Sequence, residues 1–242
     1  MWDIILIAGV SMQATVMAYI FDPNWKALLY SLPIPFTLAS MSLGQPIGVT
    51  HVAGLVVLLG FFHAVRIMHQ VRDWPIVGSI VLAAGGYAVV GAVLAEVLPR
   101  GEAIFWGTVV LCGGTGLALL LLVPHREEPG HRSPLPVWIK LPTVAGVIAL
   151  LVLMKHYLQG FMAMFPMMGV ITAYEGRHSL WTMTRQVPVL LLTFPAMMSI
   201  CRLLQGRIGL GPSLAIGWCV HLTTLYLITR WMWRRARRAR PD

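Results

Sequence analysis

Side chains able to do chemistry are few in this chain, and they lie in or beside long apolar runs. His63 and Arg66 sit one turn apart in LVVLLGFFHAVR, and Arg185 and Gln186 open RQVPVLLLTFPAMM. Gln13 and His221 fall inside apolar runs, while Lys140, Lys155, His156, Glu96 and Glu175 border them. Ionisable groups at such depth mark substrate paths, ion paths or proton relays. Two plainer roles compete: Arg and Lys near a run's end reach out to the interface, and a buried His is often a hydrogen-bonded packing residue. No carboxylate stands in the middle of a run. Exchange of an organic cation for protons needs a negative charge there, so an anionic or neutral substrate is favoured. His63, whose side chain titrates near neutrality, is the candidate proton-coupling group.

Two short runs carry breaks. YSLPIPFT holds Pro33 and Pro35, and AMFPMMGV holds Pro166. Proline removes one helical hydrogen bond and clashes with the preceding turn. In lipid the freed carbonyls need protein partners or a wet cavity. Interrupted segments at matching places in two halves point to a substrate site. The expected site gathers Pro33, Pro35 and Pro166 near the midplane, with Tyr30, Ser31, Gln13 and Thr37 as polar contacts. Arg66 and Arg185 attract an anion toward it, as do the helix N-termini that the breaks leave open. Pro188 and Pro195 add two more breakers in one later run.

Catalytic signatures are missing. There is no HExxH, GxSxG, P-loop or usable GxGxxG. The group His63, Arg66, His69, Arg72 and Asp73 reads as a basic flank before it reads as an active site. Cys112, Cys201 and Cys219 lie in apolar runs without a CxxC pair, so they read as packing residues. Gly85-Gly86 and Gly113-Gly114-Thr115-Gly116 read as helix contact surfaces. No enzyme activity, metal or cofactor is expected.

The elements that must position these residues follow from composition. Of 242 residues, 57% are hydrophobic and 11% charged, against roughly 25% charged in a soluble domain. The apolar residues fall in blocks of about 20, the length that crosses a bilayer. This excludes a soluble enzyme, a disordered chain and a secreted disulfide scaffold. Nine spans are expected, at 2–21, 27–43, 49–69, 75–98, 103–123, 137–156, 158–174, 182–204 and 209–231. The first reads as a span and not as a signal peptide, because Asp3 stands where a basic region would be.

Net charge is +9, and six arginines fall within residues 230–242. Beside Trp231 and Trp233 they read as a lipid-facing anchor for anionic head groups, not as a nucleic-acid patch. With that tail in the cytoplasm, nine spans put the N-terminus outside. Fourteen Lys and Arg then lie inside and four outside, as the positive-inside rule requires. An inner (plasma) membrane location is expected.

Sliding the chain on itself by 133 residues lays spans 1–4 on spans 6–9 and leaves span 5 over. Pro33 then falls on Pro166, and Gly78 on Gly211. The odd span inverts the second unit. The expected fold is an all-α polytopic membrane protein of about nine transmembrane helices in a 4+1+4 inverted repeat. The units are 1–98, a linker helix and loop at 99–136, 137–231, and a basic tail at 232–242.

At the seventh span, His156-Tyr157-Leu158-Gln159-Gly160 through Phe165-Pro166 to Tyr174-Glu175 resembles the GlpM-like family of small four-span bacterial membrane proteins. The resemblance covers roughly 138–231 and implies a duplicated, fused four-span unit; it brings no site residues with it. The doubled plan also looks like a fused pair of small multidrug-resistance transporters, but the first-span glutamate is replaced by Gln13.

The function expected is a small secondary transporter or lipid flippase for an anionic or neutral substrate, working by alternating access. The alternative is a non-transporting membrane subunit that assembles or regulates an envelope-biosynthesis complex. Expected partners are membrane lipids, a small-molecule or lipid substrate, and a second copy or another membrane protein; nucleic acid is not among them.

Overall fold

A computed structural model describes residues 1–124, 126, 128–153, 158 and 160–238, with side chains through residue 235. Lys155, His156, Tyr157, Gln159 and Arg240, named above, lie outside the described residues. Every regular element among them is helical. Six helices are long and apolar enough to cross a membrane: α1 (Trp2–Tyr19), α4 (Val49–Arg66, continued by a π turn Ile67–Val71), α5 (Ile76–Val97), α6 (Glu102–Leu122), α10 (Leu180–Ile208) and α11 (Leu210–Arg238). The protein is therefore a multi-pass membrane protein by length and composition. α7 (Val137–Val152) is apolar but has only 16 residues. The second and seventh expected spans are each two short helices: α2 (Pro23–Tyr30) with α3 (Ile34–Leu43), and α8 (Gly160–Ala163) with α9 (Met167–Glu175).

Pro188 and Pro195 do not break α10, which runs 29 residues through both. A proline removes a single hydrogen bond, and packing neighbours hold the helix around it. The glycine expectations divide. Gly116 of α6 presses on Leu191 and the Pro188 carbonyl, where a Cβ would come within 2.9 Å. Gly85, Gly86, Gly113 and Gly114 face open space. The outer faces of α5 and α6 carry exposed Val77, Val81, Val89, Val110, Leu117 and Leu121. Apolar surface of this extent marks contact with lipid.

One large core, to which every helix contributes, is shared by the two halves of the chain. Contacts sort the helix termini into two ends. At one end the Ser42 hydroxyl donates to Asp3, and Arg202 bonds both Glu102 and the Ile47 carbonyl. At the other end lie Lys26, Arg66, Arg126, Lys140, Glu175 and Trp181. The segment between α6 and α7 is strapped across this second end. Its Glu128 carboxylate accepts from the Trp181 and Thr182 N–H groups and so caps α10. Arg66 and Arg126 stack on the Trp181 ring. The Ser133 N–H donates to the Ala18 carbonyl, and the Tyr19 hydroxyl to that of Leu135.

Beneath the strap two lysines meet at Glu175, one on its carboxylate and one on its backbone carbonyl. Lys140 Nζ lies 2.7 Å from Glu175 Oε1, with these side chains 5% and 3% exposed. Lys26, 2% exposed, donates to the carbonyls of His131 (2.7 Å) and Glu175 (3.2 Å). Removing one partner of a buried pair leaves an uncompensated charge, at a cost of ~3–5 kcal/mol. Glu175→Gln should lower unfolding stability by about that much. The readout is thermal labelling of the buried thiols Cys112 and Cys201. An unchanged transition would mean that the pair does not hold this end together.

The strap also meets His178, whose ring lies 4.8 Å from that of His131. Both histidines are held below their usual pKa of 6.5, first by desolvation and then by Arg177, with His178 and Lys26 adding at His131, and His69 and Lys26 at His178. Their folded form thus favours the neutral imidazole. Stability from this corner is present above pH 6.5 and is lost as pH falls through the folded values. Trypsin should cut at Arg126 and Arg132 faster after exposure to pH 5.5 than to pH 7.5, read under one digestion condition. Equal rates would show the strap indifferent to these rings.

Candidate functional site

Both breaks are made the same way. Pro33 and Pro166 are each the N-cap of the helix that follows, with φ, ψ of −79°, 29° and −72°, 44°. Their rings supply no N–H, so carbonyls in the turn before them lose helical partners. Side chains from three other helices bond carbonyls at the breaks, and one from a fourth bonds the Ser31 hydroxyl. Gln13 of α1 donates to the Leu29 carbonyl at 2.8 Å. His221 of α11 has Nε2 2.9 Å from the Ser31 carbonyl, so Nε2 carries the proton. Tyr87 of α5 donates to the Phe161 carbonyl at 3.0 Å. Gln186 of α10 donates to Ser31 Oγ at 2.5 Å, and Ser31 Oγ donates to the Ala27 carbonyl. Trp218 of α11 donates to Thr37 just beyond the first break.

The two breaks meet. Tyr30, Pro35, Phe36, Pro166, Gly169 and Phe194 are among the residues lining a cavity of about 40 Å³ between them. Tyr30 packs edge-on against Phe62. Its hydroxyl is the one oxygen-bearing side chain among the described lining residues. Gly54 of α4 allows Met164 to sit close to the second break, where a Cβ would be 2.7 Å away.

The expected site thus divides into two compartments. Tyr30, Pro35 and Pro166 line the apolar space, and buried Pro33 starts α3 beside it. Ser31 and Gln13 instead join Gln186 and His221 in a polar seam. Gln13 Oε1 and Thr193 Oγ1 are buried without a hydrogen-bond partner among the described residues, the usual sign of room for water or a polar ligand group. At the strap end, Gln186 and Arg185 line a notch of about 30 Å³ with Asn24 and Thr182. Gln186 therefore links that notch to Ser31.

Other expected residues stand apart. His63 Nδ1 is tied to its own helix at the Leu59 carbonyl, 2.9 Å away, and the ring is half-buried. Arg66 stacks on Trp181, one turn before Arg185. His63, Arg66 and Asp73 line none of the described cavities together. Among the described residues no three His, Cys, Asp or Glu side chains group to hold a metal. The sequence reading missed Tyr87, Trp218, Lys26 and Glu128. It also missed a cavity of about 520 Å³ at the opposite end, lined by Gln45, Thr50, His51, Arg100 and Arg202. The signals were there in part: Gly48 and Gly101 precede α4 and α6 as N-caps beside that cavity.

No protein-family model, curated protein or solved structure matches this chain. The site therefore has to be read from its own geometry. If the seam serves the backbone, His221→Leu strands the Ser31 carbonyl and should cost about 1–2 kcal/mol. Thr223→Val, at an exposed position two residues on, should cost nothing measurable. Thermal unfolding of both variants checks this, and equal stabilities would remove His221 from the seam's support.

Proposed function

We propose that this chain is a small secondary transporter or lipid flippase that moves an anionic or neutral substrate by alternating access. The observation that carries the reading is the equivalence of the two proline breaks and their meeting at one place. Shifted by 133 residues, the end of α2 at Tyr30 falls on the end of α8 at Ala163. The start of α3 at Ile34 falls on the start of α9 at Met167. α1 and α7 then end together, at Tyr19 and Val152. Counting each broken pair as one crossing and α7 as another makes nine, in a 4+1+4 inverted repeat.

Inverted halves with paired breaks suit alternating access, because exchange of their conformations turns the site from one side to the other. The bonds that would have to reform cross the halves at Ser31, whose hydroxyl meets Gln186 and whose carbonyl meets His221. Lys26, Arg66, Arg126, Lys140, Arg177 and Arg185 gather at the strap end, which supports placing that end and the tail in the cytoplasm of an inner (plasma) membrane.

A second reading draws on the same cavity. At about 40 Å³ the space between the breaks admits no substrate in this conformation. A non-transporting subunit of an envelope-biosynthesis complex would also be tightly packed there and would present apolar outer faces. Purification separates the two: a transporter is stable alone, and a subunit is recovered with a defined partner.

The decisive test is Pro33→Ala combined with Pro166→Ala in proteoliposomes. Inserted protein should be unchanged, while movement of fluorescent lipid analogues and of small carboxylates or phosphates should fall at least tenfold. Undiminished movement would overturn the transport reading.

A further inference from the structure

At the end away from the strap, a cavity of about 520 Å³ opens beside the starts of α4 and α6, within the size range of ligand sites. Pro46, Val49, Leu98 and Phe105 give it apolar walls. Gly48 and Gly101 line it as the N-caps of the two helices, and glycine has no side chain to offer a first turn. At α4 the Gly48 N–H turns to His51 Nδ1 at 3.3 Å, and the His51 N–H to the Gly48 carbonyl. Between them, the Val49 and Thr50 N–H groups have no hydrogen-bond partner among the described residues. They are orphan donors of a helix start.

His51 supplies a third donor. It lines the cavity and is 1% exposed. Because Nδ1 accepts, Nε2 carries the proton. That nitrogen is buried without a hydrogen-bond partner among the described residues. A buried donor left unmet is uncommon in a folded protein and calls for an acceptor. No spare cation is needed here. Arg202 is engaged by Glu102 and the Ile47 carbonyl, and Arg100 has contacts of its own. What remains is the positive end of two helix dipoles and a set of neutral N–H donors, an arrangement that binds anions.

The cavity also adjoins both breaks. Gly160, which opens α8, lies so close that a Cβ there would collide with Thr50 Oγ1 and His51 Nδ1. The His51 ring stands edge-on to Phe36, 6.2 Å away, and Phe36 lines the space between the breaks. These two rings therefore stand between the outer cavity and the inner one.

We propose that the outer cavity binds a small organic acid. Its carboxylate accepts from the Val49 and Thr50 N–H groups and from His51, and its apolar body lies against Pro46, Leu98 and Phe105. As the substrate of transport, this acid rests on the function proposed above; as a bound ligand, it stands on the cavity alone.

The test is fluorine NMR of para-fluorobenzoate added to the purified full-length chain in micelles, with para-fluorobenzyl alcohol as its neutral counterpart. The acid's signal should broaden saturably and recover when benzoate displaces it. The alcohol should show only the unsaturable effect of the micelle. Inorganic phosphate, which has no apolar body, should displace the acid less well than benzoate does. His51→Phe keeps a ring against Phe36 and removes the donor. It should weaken binding roughly tenfold, the loss expected for one hydrogen bond to a charged group. Gln45→Trp, at an exposed lining position, should do the same by filling the space, and it decides the matter if His51→Phe does not fold. Arg207→Gln, an exposed arginine at the same end, should leave binding unchanged. Saturable binding of the alcohol, an equal loss in Arg207→Gln, or full binding in His51→Phe or Gln45→Trp would overturn the site. Saturable binding of the acid with proline-independent movement of carboxylates would refute transport and leave the site. No saturable binding with proline-dependent movement would refute the site and leave transport.

Discussion

A backbone carbonyl without a partner is costly in hydrocarbon, and this fold is arranged around several of them. Each proline break frees carbonyls where no water is at hand. The residues that answer them come from α1, α5 and α11, and Gln186 of α10 adds a bond to the Ser31 hydroxyl. Gln13, Tyr87, Gln186 and His221 are thus fixed in place by a shared demand. Their positions in turn set how α1 packs on α3 and how α10 meets α2. Remove the breaks and these polar residues would themselves be the unsatisfied groups.

The same economy of partners operates with charge at the strap end. Glu175 gives its carboxylate to Lys140 and its backbone carbonyl to Lys26. Lys26 makes up the difference with neutral carbonyls, one of them donated by the strap. The strap is therefore part of the electrostatic structure of the bundle and not a passive connection. Through Glu128 it also finishes the first turn of α10, the helix that carries both Arg185 and Gln186. One helix thus carries both the strap's contact and the seam's.

The long helices were legible because an apolar block of about 20 residues has few alternatives. Pro33 and Pro166 were legible for a related reason: proline's covalent ring acts locally, whatever the tertiary context. Pro188 and Pro195 show the limit. Whether a proline ends a helix depends on what packs around it, and α10 continues past both. Tyr87 was invisible because its partner, Phe161, lies 74 residues away. Lys26 entered only the count of charges on the inner side, because its partners are 105 and 149 residues on. Ser31 and Tyr30 are adjacent in sequence, yet they serve different compartments. A helix turn points neighbouring side chains in different directions, and only the packed structure says what each meets.

The distance between Lys26 and Glu175 has a bearing on how the chain is made. A ribosome adding 5–20 residues each second needs roughly 7–30 s to travel between them. Until residue 131 is made Lys26 has neither carbonyl partner, and until residue 175 is made it lacks the second. Its helix's broken partner, α3, waits longer still, for Trp218, whose ring N–H donates to Thr37. Lys26 thus gains its last partner only once the second half of the chain has been made, so this corner of the bundle can close only late in synthesis.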